Sequence, residues 1–200
     1  MIWIDRIIFW LPVLLAGLVL LFLLQKKLRK QELAVKTVRG AIFLILGLDI
    51  FLVLFKSGVM YWQLSRDDFG KYLLPGQGTD YFFRTVYFFL EPLLFGLVIA
   101  VVLTLIVFLL TKISKRQFVD TADLYLIFLV SLIGGYPSAV IILLLSFVLM
   151  IFLQLYLLVT KKNVSMPVEL APFLLISGII MIILAHFSLY TNILTQLRLI

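Results

Sequence analysis

From Leu124 to Thr160 the chain runs for 37 residues without a charged side chain. As a single helix this run would be about 55 Å long at ~1.5 Å per residue, well beyond the ~30 Å hydrocarbon core of a bilayer. It is too apolar for water and too long for one crossing, so the chain must divide it inside a membrane. The punctuation is Gly134-Gly135-Tyr136-Pro137. Glycine admits positive φ and proline cannot continue a helix, so a turn is predicted there. A short fourth helix, Leu124 to Ile133, then precedes a full fifth that ends at Thr160. The short helix covers only about 15 Å. Its turn is therefore either sunk in the membrane or reached by a tilted helix.

Four further apolar runs have spanning length: Ile7 to Leu24, Ala41 to Trp62, Thr85 to Leu110 and Phe173 to Tyr190. The chain is 64% hydrophobic and 14% charged, against roughly 45–50% and ~25% in soluble domains. No period-two alternation supports a barrel. The predicted fold class is all-α: a polytopic helical membrane protein with six transmembrane helices, the fourth short, forming a single transmembrane domain over residues 1–200. The first run is a retained helix and not a signal peptide. It lacks a small-residue cleavage site and ends on the stop-transfer cluster Lys26, Lys27, Arg29 and Lys30.

Charge orients these spans. The loops Gln25 to Gly40, Thr111 to Ala122 and Lys161 to Glu169 hold eleven basic residues, against six elsewhere. The positive-inside rule makes those loops cytoplasmic and both termini external, in a multi-pass protein of the inner (cytoplasmic) cell membrane. Tyr61 and Trp62 suit the outer interfacial belt, and Pro75-Gly76-Gln77-Gly78 reads as a turn in the outer loop. The lipid bilayer is the expected partner, its anionic head groups facing the basic loops. Nucleic acid is not expected, because no loop is long enough for a basic domain. With no cysteine and one histidine, no cofactor or metal centre is expected within the chain.

Acids at membrane depth carry the functional question. Asp120 and Asp123 stand where the chain re-enters the apolar run, and a carboxylate at the mouth of a membrane helix is a functional-site hypothesis by default. The structural alternative is that Asp123 caps the helix while Asp120 is solvated. Glu91-Pro92 falls within the first turns of the third span, where proline is tolerated. Lys56 lies ~22 Å from the inside start of its span and Glu91 ~9 Å from the outside start of the next. Those depths nearly coincide, so Lys56 and Glu91 are expected to pair, with His186 as a third member. Otherwise Lys56 snorkels to the interface and Glu91 sits wet. Asp49, ~12 Å from the inside face, is expected to face Thr104, Gln154 or Ser177.

Three features of the inner face then converge. Asp120-Thr121-Ala122-Asp123 opens a helix, an apolar hairpin follows through Thr160, and Pro167-Val168-Glu169-Leu170-Ala171-Pro172-Phe173-Leu174 leads into the last span. In this order they resemble the type IV prepilin and preflagellin peptidases, membrane aspartyl proteases, over roughly Leu24 to Leu184. The resemblance implies an aspartic endopeptidase acting on pilin-like leader peptides, with Asp123 and Asp120 as the candidate catalytic carboxylates. It also implies a partner aspartate near Gln25-Lys26, where no acid stands and Glu32 is the only one in the loop. Both glycines of the family's G-x-G-D motif are replaced. Asp68 has the family's spacing to Leu74-Pro75 but belongs to the opposite face, so it cannot complete a dyad. The active site therefore reads as degenerate. Two other classes stay open: a catalytically silent relative that binds such peptides or assembles with secretion components, and a small proton- or ion-coupled transporter using its intramembrane acids.

Overall fold

The computed structural model describes residues 2–29, 33–76, 80–113, 119–135, 137–161 and 169–186. It contains six α-helices: α1 (Ile2–Leu28), α2 (Val35–Arg66), α3 (Tyr81–Ile113), α4 (Thr121–Gly134), α5 (Ser138–Lys161) and α6 (Ala171–His186). A 3-10 turn, Gly70–Leu73, follows α2. Among the described residues there is no strand. Four segments are long and apolar enough to cross a membrane: Leu11–Leu28, Val35–Arg66, Tyr81–Ile113 and Ser138–Thr160. The other two helices are shorter. At ~1.5 Å per residue, the 14 residues of α4 and the 16 of α6 reach about 21 and 24 Å.

The short helix is the hub. Helix α4 packs against α2, α3, α5 and α6, while α1 closes against α2 and α6. Leu126, Ile127, Leu129, Val130 and Leu132 of α4 are all buried. A helix that is apolar all round is stable only when every face is covered, and here neighbouring helices supply the cover. The long helices instead leave large side chains such as Phe43, Phe51, Leu105 and Phe152 exposed. That pattern suits lipid contact along their outer faces.

Local chemistry sets the ends of α4. Asp120 is extended at the N-cap (φ −79°, ψ 163°), and with Asp123 at N3 it forms a capping box. The helix therefore begins at Thr121, three residues before the predicted Leu124. At the other end Gly135 has φ +59° and ψ −172°, a region open essentially to glycine alone. Pro137 follows, and its carbonyl accepts from Val140 and Ile141 as α5 starts. Tyr136 lies outside the described residues.

Several predicted boundaries shift. Helix α2 begins at Val35 and α3 at Tyr81, each before the start of its apolar run, because the backbone ladder continues through the interface. Pro92 is consequently deep in α3 and not in its first turns. It removes one i→i−4 bond from the helix interior. Pro12 does the same in α1. The predicted turn is present at Gly76, with φ +90°; Gln77 and Gly78 lie outside the described residues, as do Glu32, residues 162–168 and residues 187–200.

The two ends of the bundle differ in chemistry. At one end Arg66 stacks over Trp62 with its guanidinium 4.0 Å from the ring centroid, and Tyr61 meets Phe82 edge to face. Asp68 pairs with Lys71 there at 3.0 Å, fully in the open. The other end carries the C-termini of α1 and α3 and the N-termini of α2, α4 and α6. Asp68 and Asp123 thus sit at opposite ends of α3, a helix of 33 residues.

Candidate functional site

The basic end gathers three carboxylates and an ammonium group. Lys27 comes from the last turn of α1, Asp120 and Asp123 from the start of α4, and Glu169 from just before α6. Packing of α6 against both α1 and α4 brings these segments together. Lys27 Nζ forms an ion pair with Glu169 Oε2, whose carboxylate is largely exposed. Asp120 Oδ1 accepts from the Thr121 N–H at 2.6 Å, and Asp123 Oδ2 accepts from the Asp120 N–H at 3.3 Å.

The two aspartates have different surroundings. Asp120 is exposed, whereas only 8% of Asp123 is accessible. Asp123 lies at the mouth of α4, ahead of the apolar stretch that begins at Leu124. Burial raises its pKa above the ordinary carboxylate value. The backbone N–H of Asp120 opposes this, the charge of Asp120 adds to it, Lys27 opposes it and Glu169 adds to it. The structural alternative drawn from sequence is thereby inverted: Asp120 is the N-cap, and Asp123 is the buried return arm of the box. Asp123 cannot serve as N-cap because the backbone is already helical at Thr121.

This geometry limits the chemistry. A two-carboxylate protease needs both acids around one water, sharing one proton. Here each aspartate is bound to a backbone N–H on the same helical turn. Where the resemblance expects an acid, Lys26 donates to Thr37 Oγ1 at 3.3 Å and Lys27 pairs with Glu169. A lysine beside a carboxylate favours the ionised form and works against a shared proton. What the cluster offers is a mixed acid–base surface: a buried carboxylate, Asp123, beside the accessible Asp120 and a Lys27–Glu169 ion pair. Sequence reading passed over Lys27 and Glu169. Glu169 is the only acid between Asn163 and Pro172, and Lys27 adjoins the expected acid position; both signals were present.

A second polar site is a half-open pocket between the helices. A cavity of about 410 Å³ contains Asp49 and Lys56, two turns apart on one face of α2. Pro12, Pro92 and the Gly134-Gly135 end of α4 also line it. All three are places where the regular helical hydrogen-bond ladder is interrupted.

The predicted Lys56–Glu91 pair does not form. The residues of α3 that face the cavity are Phe89, Pro92, Leu93 and Gly96, an i, i+3, i+4, i+7 stripe that turns Glu91 away. Lys56 and Glu91 are both exposed, and among the described residues neither has an ion-pair partner. The side chain of His186 lies outside the described part of the protein. Asp49 does not meet its expected partners either. Thr104 Oγ1 and Ser177 Oγ are buried without a hydrogen bond, and no bond joins Gln154 to Asp49 among the described residues.

Among the described residues, no group of three or more His, Asp or Glu side chains is arranged to hold a metal ion. Searches against family models, curated proteins and solved structures each found no match.

Proposed function

We propose that this is a six-span protein of the cytoplasmic membrane, with both termini outside, that binds pilin-like membrane peptides at its inner face. In this reading it is a relative of the prepilin peptidases with a degenerate dyad. One observation carries the proposal: beside the buried Asp123, the end of α1 supplies Lys27 paired with Glu169 and no second aspartate. Asp120, Asp123 and Glu169 outnumber Lys27, so the cluster is acidic on an otherwise basic face and complements a cationic juxtamembrane segment. The basic loops support the inner-face orientation. The test is co-expression with a pilin-like precursor in a host lacking its own prepilin peptidase. The precursor should co-purify with its leader intact. Leader cleavage that Asp123→Asn abolishes would make the protein an active protease. Neither binding nor cleavage would end the peptidase-type reading.

The pocket at Asp49 favours a second reading, a proton- or ion-coupled transporter. Interrupted helices around an intramembrane acid are how such proteins expose carbonyls to a bound ion. Pro12, Pro92 and Gly134-Gly135, all helix breaks, line the same pocket as Asp49. Reconstituted protein would then dissipate an imposed proton or sodium gradient, and Asp49→Asn would stop it. Gradient flux equal in both proteins would remove this reading.

A further inference from the structure

Beside the acid cluster, and separate from it, a groove of about 650 Å³ runs between α2, α3 and α4. Its wall is almost wholly apolar, and its mouth is Arg39. The guanidinium of Arg39 donates to the Tyr125 hydroxyl and lies 4.7 Å from the centre of the same ring. Tyr125 thus holds a cation over the opening. Among the described residues no carboxylate is within ion-pair reach of Arg39. Among the described residues its remaining N–H donors have no other partner, and the forked guanidinium geometry suits phosphate.

The groove also has a definite depth. Its α3 wall runs from Phe108 to Val101 and its α4 wall from Thr121 to Phe128. Each spans eight residues, seven rises or about 10 Å of helix. Both start at the basic end, so the groove stays within one half of a core ~30 Å thick. A transmembrane peptide helix would need a channel through both halves. An acyl chain with its head group at the interface needs only one.

We propose that this groove is a specific site for one anionic phospholipid of the inner leaflet, its phosphate on Arg39 and an acyl chain against Leu105 and Phe128. A positive mouth above a one-leaflet apolar slot complements a charged head on a hydrocarbon tail. The site stands independently of the peptidase reading, because it uses neither Asp123 nor Glu169.

The test uses the full chain, purified in mild detergent and delipidated, with lipids returned one at a time. Binding is counted by native mass spectrometry. Phosphatidylglycerol should bind at one site, about fivefold tighter than phosphatidylcholine of the same chains, the scale of one interfacial arginine. Arg39→Gln should bring the two lipids level. Lys36→Gln, an exposed cation on the same helix outside the groove, should change nothing. Leu105→Trp fills the groove from an exposed position and should weaken both lipids. It reads the site even if Arg39→Gln fails to fold. Equal affinity for both lipids in the unaltered protein would overturn the proposal. So would equal losses in Lys36→Gln and Arg39→Gln, which indicate surface adsorption. Displacement by inorganic phosphate would reduce the site to an anion contact, and one-for-one displacement by an apolar transmembrane peptide would reassign it to helices.

Discussion

Gly134→Ala tests the turn that fixes both the hub helix and the floor of the Asp49 cavity. A Cβ at Gly134 would lie 2.8 Å from Ile142 Cδ1, 3.2 Å from the Ala139 nitrogen and 3.4 Å from its Cα. The first distance is an overlap, and the second is tighter than ordinary packing. Ile142 is only 1% exposed, so its terminal methyl has no open space to swing into. Overpacking of this kind costs about 1–3 kcal/mol. Alanine returns at most ~0.5–1 kcal/mol through helix propensity, and less at this last helical position. The net expectation is a loss of about 1–2 kcal/mol. Ile142→Val deletes the clashing methyl and by itself costs about 0.5–1.5 kcal/mol, as a buried methylene loss. The double variant should therefore be more stable than the sum of the single losses predicts, by about 1 kcal/mol. Rescue is incomplete because the Ala139 backbone contact remains. Equilibrium unfolding in mixed micelles measures all four corners of the cycle. Additivity within ~0.5 kcal/mol, or a Gly134→Ala protein as stable as the parent, would refute the packing argument.

Three further predictions concern the acid cluster and the orientation of the chain. Asp120→Ala removes an N-cap and should cost about 1 kcal/mol in the same assay. Asp123→Asn should behave differently with pH. The folded protein raises the Asp123 pKa, so this group's contribution is most favourable below the unfolded carboxylate value and is lost as pH rises through the folded one. The asparagine variant should match the parent near pH 4 and exceed it at pH 8; a variant that is less stable at pH 8 would contradict the assigned cause. For orientation, the chain has no cysteine, so single cysteines at Lys30, Lys115 and Lys162 give unambiguous labelling. All three should react only from the cytoplasm and Lys71→Cys only from outside. External labelling of any of the first three would overturn the proposed six-span topology.

The sequence alone determined that the chain is helical and belongs in a membrane, because a charge-free run of this length has no other stable setting. It also located the break at Gly134-Gly135, where φ +59° requires glycine, and the acids that open α4. Local backbone chemistry settles such features, and it is written in neighbouring residues. Which helix lies at the centre was not legible. Lipid tails are as apolar as leucine, so a lipid-facing helix and a buried one look alike in composition. Only packing shows that α4 is covered on all sides while α3 and α5 are not. The approach of Lys27 to Glu169 likewise depends on α6 lying against α1. The Lys56–Glu91 expectation failed for a related reason. Counting residues gives depth along a helix axis, but two charges meet only if rotation about each axis also agrees. The proline-bearing stripe of α3 sets that rotation, and it turns Glu91 away from the cavity. Depth is a property of one helix and its sequence, whereas azimuth is decided by what the helix packs against.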